Sequence, residues 1–417
     1  MRSASKLGVV AVLLAALILR VAGVLVLGDL VDPLTWEYGP IAASLERGEG
    51  FTYAFRLDRV YHSWMPPLYP ALLALHRAVF GAHGYLALYI TQCMLSTATV
   101  ALAGLLAMRL GGHMAGWAAM VMASLYPPLA VKVAYLDPVT VETFLLLAAV
   151  WLCIKALDGD GVRPAAGSGL LLALAVLARP TLLAFAVGLM LTWCVMYRQR
   201  IRAGLVLMAC VIAGMTPWMA RNAMVHGQVV MISSNAGYNF WIGNNPLATG
   251  HAYADDGQPV WMHMPPELQQ RVAAVSEVEQ SRLLYGEGIQ WIRENPGRFL
   301  ELTLRRLAFF VWFRPGAGTG QMDYPQLWQT GYKAVYGLLL LLAGWGAWWW
   351  GRHWRHLLPV YVLIGSVTAV YSVFFIHTRY RMILEVFLIV LAAPAALCAT
   401  RLVDGRWRLG MQTGARE

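Results

Sequence analysis

Apolar runs about as long as a bilayer is thick dominate this chain, and they restrict it to very few folds. Hydrocarbon offers the backbone no partners, so a stretch of about 20 apolar residues crosses it as a helix that satisfies its own peptide groups. Such windows lie near residues 7–28, 84–108, 114–131, 139–157, 167–179, 181–197, 203–220, 332–351, 357–376 and 382–400. The expected fold is an all-α polytopic membrane protein of about ten transmembrane helices. Composition agrees, with 59% apolar and 13% charged residues where soluble chains have about a quarter charged. The run 7–28 is too long for a signal-peptide core and lacks a small-residue cleavage site, so it is read as a span. Ala178-Arg179-Pro180-Thr181 interrupts the stretch 167–197, which is read as two short pieces joined by a polar kink at the far membrane face.

A net charge of +10 does not point to nucleic acid, because the basic residues lie in short clusters between apolar runs, the pattern that orients a protein in a membrane. Arg2, Lys6, Arg109, Lys155, Arg163, Arg198, Arg200, Arg202, Arg352, Arg355 and the tail's Arg401, Arg406, Arg408 and Arg416 all fall on one side. Both termini are therefore expected in the cytoplasm. Residues 1–220 then form an N-terminal bundle whose first outer loop is 29–83. Residues 221–331 form an extracytoplasmic segment, and 332–417 form C-terminal helices with a basic tail. Two helices lying in the membrane surface are expected in the first loop, from Thr35 to Glu46 and from Pro67 to Phe80. In the second outer segment a helix from Pro266 to Glu294 ends at Asn295-Pro296-Gly297, and an interfacial helix follows over 298–313. Cys93, Cys153, Cys194, Cys210 and Cys398 sit in or beside apolar runs without ligand spacing, and His62, His113, His226, His251 and His263 are scattered. No zinc site and no disulfide framework are expected.

Asp32 and Glu37 stand in the first outer loop, in Asp32-Pro-Leu-Thr-Trp-Glu37-Tyr38-Gly39-Pro40. A carboxylate there suits a reaction on a sugar carried by a lipid phosphate. The phosphate departs as a stable anion, so one general base for the acceptor hydroxyl suffices, whereas glycoside hydrolysis needs two carboxylates. The plain alternative is that both acids cap the helix that follows. Asp137, in Lys132-Val-Ala-Tyr135-Leu-Asp137-Pro138, either completes an acidic site or caps the next span; Glu142 is read as such a cap. Two acids on neighbouring loops could hold a divalent cation as cofactor. A lipid phosphate needs cations, and Lys132, Arg221, Arg379 and Arg381 are the outer-face candidates; snorkelling to headgroups is the competing role for the arginines. Arg20, deep in the first span, is expected to pair inside the bundle or reach an interface. Trp348, Trp349 and Trp350 read as an interfacial belt.

Several short motifs recur in a familiar order: Asp32 with Glu37-Tyr38-Gly39-x-Ile41-Ala42, Gly48-x-Gly50-Phe51, Met65-Pro66-Pro67-Leu68-Tyr69-Pro70, Arg179-Pro180, Pro217-Trp218-x-x-Arg221-Asn222, Asn235-x-Gly237-Tyr238-Asn239 with Gly243-Asn244-Asn245-Pro246, and Arg379-Tyr380-Arg381 with Glu385. From about Leu7 to Thr400 the chain resembles the bacterial GT-C glycosyltransferases related to protein O-mannosyltransferases and the aminoarabinose transferase of lipid A. The resemblance implies a GT-C-like bundle that takes a polyprenyl-phosphate sugar donor, with the acidic residue of the first outer loop, Asp32 or Glu37, as base. Positions 34 and 35 are Leu and Thr, a departure from relatives that place an aspartate shortly before the tyrosine. Tyr38, Tyr69, Tyr238 and Asn239 are expected in the substrate pocket. The expected activity is inverting transfer of one sugar to a glycan, lipid or protein acceptor at the outer face of the cytoplasmic (inner) membrane, with membrane lipids as surroundings and no nucleic acid partner. A transporter or flippase of a lipid-linked glycan is the alternative, and a scaffold that keeps the fold without chemistry is a third. The sequence does not identify the sugar.

Overall fold

The structure, a computed structural model, describes residues 2–55, 59–159, 161–313 and 326–403. Arg406, Arg408 and Arg416 lie outside the described residues, as do the side chains of Arg2, Arg352, Cys398 and Arg401. The long helices are α1 (Arg2–Leu27), α4 (Gly84–Leu125), α6 (Val139–Asp158), α7 (Val162–Ala178), α8 (Leu183–Met196), α9 (Ile201–His226), α14 (Gln326–Trp349), α15 (Trp354–Val373) and α16 (Thr378–Val403). Between them lie α2 (Tyr38–Glu46), β1 (Tyr53–Phe55), β2 (Arg59–Tyr61), α3 (Leu68–Phe80), α5 (Pro127–Val131), α10 (Ala236–Gly243), α11 (Pro266–Ala273), α12 (Glu277–Glu294) and α13 (Pro296–Val311). Five stretches are long and apolar enough to cross a membrane: Lys6–Leu27, Leu68–Leu125, Val139–Asp158, Arg198–His226 and Trp354–Val373; α7 and α8 are shorter. The chain is an all-α polytopic membrane protein.

Gly112 turns the long helix α4 back on itself. Its φ of 80° and ψ of −177° fall where a side chain is strained, so glycine makes the reversal possible. Gly104 consequently packs against Gly116 and Met120 on the returning limb, which is why two spans were legible here. At the end of this hairpin Arg109 pairs with Asp158 at 2.7 Å. His356 reaches the same carboxylate at 3.0 Å, and the Arg200 guanidinium lies beside Gly159. Arg179, by contrast, stands with the start of α6 at the opposite end, where it pairs with Glu142. The basic residues and the polar kink thus occupy different ends of the bundle, as two short pieces at 167–197 require.

Arg20 is fully buried and spends its donors inside the bundle, on Ser96 Oγ (2.7 Å) and the carbonyls of Ala16 (3.0 Å), Ser124 (3.3 Å) and Ala123 (3.3 Å). An arginine inside a membrane bundle is tolerable on these terms, since polar groups meet its guanidinium. The free cysteines Cys93, Cys153, Cys194 and Cys210 form no disulfide.

The first loop holds α2 and α3 where surface helices were expected, and adds a small hairpin with Tyr53 opposite Tyr61. Three-residue strands are too short for alternation to announce them. The expected helix 266–294 is two helices, because Ser276 and Glu279 form a reciprocal capping box that starts α12 afresh. In α13 the outer side shows Leu300 and Leu304, while Arg306 is wholly buried. Its guanidinium donates to the carbonyls of Ser372 (3.1 Å), Val373 (3.1 Å) and Gly243, fastening α13 to α10 and the end of α15.

Gly39 permits the tight entry into α2: a β-carbon there would lie 1.9 Å from Thr35 Oγ1. Gly39→Ala is expected to displace the Thr35–Tyr38 turn and cost about 1–3 kcal/mol, read as a lowered unfolding temperature in detergent. An unchanged unfolding temperature would show that the turn yields without cost.

Candidate active site

Two cavities meet at the end of the bundle that bears Arg179. The larger, of about 640 Å³, lies between the bundle and the second outer segment, and Glu37, Tyr38, Asp137, Glu142, Arg179, Tyr238, Asn239 and Arg379 are among its lining residues. The smaller, of about 440 Å³, is mostly apolar and is walled by α14 through Leu327, Trp328, Tyr332 and Val335, with Pro127, Pro128 and Val131 across from them. Both are of the size that binds small ligands. Asp137, His377 and Arg379 line both cavities and form the boundary between them.

The chain crosses that boundary at Trp36-Glu37. Trp36 lines the smaller, more apolar cavity and Glu37 the larger one, where more charged side chains gather. Trp36 has a φ of 52°, the only positive φ at a non-glycine among the described residues. A bulky residue in that region is strained, and such strain clusters at functional sites. Glu37 occupies the position before α2 but its side chain makes no capping hydrogen bond. The capping role expected as the alternative is therefore absent, and the carboxylate is left to the cavity.

Most charges here are spoken for. Lys132 pairs with Asp137 Oδ2, and Asp137 Oδ1 accepts from the Val139 amide at 3.0 Å, so Asp137 both joins the site and caps α6. Glu142 is not a cap. Its Oε2 accepts from Arg179 Nε at 2.8 Å and lies 2.6 Å from Arg179 Nη2. Arg179 Nη1 donates to the Tyr371 hydroxyl at 2.9 Å, and the Tyr371 ring stacks on Tyr380 at 4.4 Å. Among the described residues the side chains of Glu37 and Arg379 have neither an ion pair nor a hydrogen bond, the Arg379 guanidinium resting 5.5 Å from the Tyr380 ring. An acid and a cation whose side chains have neither a hydrogen bond nor a close ion pair among the described residues thus face one cavity.

Other expected site residues lie elsewhere. Asp32 is exposed and lines neither cavity; its amide donates to Asp29 Oδ1 at 2.9 Å. Arg381 lies inside the bundle. It pairs with Glu385 at 3.4 Å and lies 4.0 Å from the Tyr336 ring and 4.3 Å from that of Phe313. Glu385 also accepts from Tyr126 (2.8 Å) and Tyr332 (2.6 Å). Its i,i+4 spacing from Arg381 was the sequence signal for an internal pair. Arg221 ties the hairpin loop to α9 by donating to the carbonyls of His62 (2.6 Å) and Phe51 (3.3 Å), with its guanidinium 4.8 Å from the Trp218 ring. Tyr69 is buried behind Tyr38, edge-on at 5.2 Å, and donates to Gln92 Oε1 at 3.1 Å. Arg179, Trp36 and His377 enter the site without having been expected in it, and Glu142, weighed beside Asp137 but read as a cap, enters it too; the Arg179–Glu142 pair joins residues far apart in sequence, which no spacing displays.

Asp137 and Glu142 do not fit a divalent cation. Each is committed to a cationic side chain, and among the described residues no three His, Cys, Asp or Glu side chains converge as ligands.

No family model matches the chain, and no curated protein matches it either. Solved structures share its fold. The archaeal oligosaccharyltransferase AglB from Archaeoglobus fulgidus, in complex with an inhibitory peptide and a dolichol-phosphate, superposes with a TM-score of 0.54 at 13% identity over 99% of this chain and 53% of that one. Its apo form gives 0.56 at 11% identity over 96% and 53%. ArnT from Cupriavidus metallidurans superposes more loosely, at 0.45 and 14% identity over 98% and 82%. The chain spans about half the length of the AglB structures. The likeness is one of fold alone.

Arg381→Ala would leave Glu385 buried without its cation, a change worth about 3–5 kcal/mol. The expected result is a large fall in unfolding temperature; normal stability with lost donor binding would instead return Arg381 to the site. His377 is held well below its ordinary value, first by burial and then by Arg379. The unfolded chain therefore binds a proton that the folded chain refuses, and stability falls as pH drops through the unfolded value of about 6.5. His377→Gln is expected to flatten that part of the stability profile; an unaltered profile would show that His377 does not titrate on unfolding.

Proposed function

We propose that this protein is a membrane glycosyltransferase that moves one sugar from a polyprenyl-phosphate donor to an acceptor hydroxyl, with inversion at the sugar carbon. The observation that carries this reading is the couple Glu37 and Arg379, whose side chains have neither a hydrogen bond nor a close ion pair among the described residues, on the larger cavity, with Arg379 also bordering the smaller, more apolar one. A lipid-linked sugar has the same three parts in the same order: an apolar chain, an anionic phosphate and a polar ring. Laid across the site, the chain occupies the groove beside α14, the phosphate meets Arg379 near Lys132, and the ring enters the larger cavity. A protein of this fold, AglB, is described with dolichol-phosphate bound, which supports a lipid-phosphate ligand for this chain as well.

Chemistry follows from the charges. Glu37 takes the proton of the acceptor hydroxyl as its oxygen attacks the anomeric carbon; the carbon–oxygen bond to phosphate breaks, and polyprenyl phosphate leaves as an anion beside Arg379. A guanidinium is suited to that oxyanion because its donors match phosphate oxygens in pairs. Glu37 is the better base than Asp137, whose two oxygens already serve Lys132 and Val139. Asp137 instead keeps Lys132 at the boundary. The basic residues gather at the far end of the bundle, which supports an active site on the outer face of the inner membrane with both termini in the cytoplasm. The segment 221–331 is then the acceptor-side wall through Tyr238 and Asn239.

In membranes supplied with radiolabelled polyprenyl-phosphate sugars, Glu37→Gln is expected to lower transfer about 10²- to 10⁴-fold, the usual worth of a general base. Asp32→Asn is expected to transfer at the wild-type rate, and Arg379→Ala to raise the KM for donor. Undiminished transfer by Glu37→Gln would remove the proposed mechanism. Movement of the labelled lipid across the bilayer without transfer to any acceptor would favour a flippase instead.

A further inference from the structure

Glu142 is the acid of the larger cavity that the proposed reaction leaves idle. It is 1% exposed, and both contacts from Arg179 arrive on the same oxygen, Oε2. Oε1 is buried and has no hydrogen-bond partner among the described residues. Nη1 donates to Tyr371, and none of the guanidinium's other N–H groups is placed to reach Oε1. A buried acceptor left unsatisfied costs about 1–3 kcal/mol. Such atoms are rare in native structures and call for a partner. Glu142 lines the cavity, so the partner can come from the molecule that fills it.

We infer that Glu142 reads a hydroxyl of the donor sugar, Oε1 accepting its hydrogen bond. This inference rests on the transferase reading above. A hydroxyl supplies the missing donor. Glu142 is therefore a specificity-determining residue and takes no part in proton transfer.

The test is a cycle that crosses enzyme variants with donor variants. Farnesyl-phosphate donors bearing the monosaccharide that the wild-type protein transfers are compared with analogues lacking one hydroxyl at a time. The wild type is expected to lose about 10- to 100-fold in kcat/KM for one deoxy position, the worth of a hydrogen bond to a charged group. In Glu142→Ala that single penalty disappears while those at other positions persist. Glu142→Gln, which keeps an acceptor oxygen and the shape of the side chain, retains part of it and serves if the alanine variant fails to fold. Equal deoxy penalties in wild type and both variants would reduce Glu142 to a structural partner of Arg179 and overturn the inference. Absence of transfer from every donor by the wild type would sink the transferase reading itself, and this inference with it.

Discussion

A charge held inside a membrane bundle must find a partner, and that constraint organises this structure. The cost of leaving an ion unpaired in low dielectric runs to several kcal/mol. Arg20 meets it with carbonyls and a serine, Arg306 with the carbonyls that end α10 and α15, Arg381 with Glu385, Arg179 with Glu142, and Lys132 with Asp137. Most of these pairings also join two elements, so the charges that would be a liability in hydrocarbon become the pins of the fold. Against that background Glu37 and Arg379 stand out by having no close ion pair among the described residues. They face a cavity, where a substrate can supply what the protein does not.

The division of that site into a larger half and a smaller, more apolar one has a local cause. The backbone at Trp36 adopts a left-handed φ, and the reversal there sends one side chain into the more apolar groove and the next into the larger chamber. On the far side the short segment around His377 and Arg379 borders both at the start of α16. On the proposed reading, lipid and sugar would lie on either side of these few residues, joined through the phosphate.

Much of the architecture was legible from residue order. Apolar length marked the helices, and the Arg179-Pro180 interruption marked the two pieces of 167–197, because hydrocarbon leaves a peptide backbone few ways to cross it and few ways to break. Short-range features were harder. The β1–β2 hairpin is too brief for periodicity to detect, and the Ser276-x-x-Glu279 capping box, though plain in the sequence, was hidden inside a stretch of uniform helical propensity. The site was half legible. Glu37, Asp137, Lys132, Tyr38, Tyr238, Asn239 and Arg379 gather as expected, since loops at one end of a bundle converge. Arg381 and Arg221 do not, because an arginine beside a span can turn inward to a carboxylate or to carbonyls as readily as outward to a phosphate. Glu142 was mistaken for a cap because its partner lies a whole helical hairpin away.

The most direct test of the divided site is a structure of the protein in nanodiscs with a polyprenyl-phosphate sugar bound. The phosphate is predicted within hydrogen-bonding distance of Arg379, about 2.7–2.9 Å for a charge-assisted contact, with the lipid chain along α14 and the anomeric carbon on the Glu37 side. A phosphate held away from Arg379, or a sugar lodged in the groove beside α14, would contradict it.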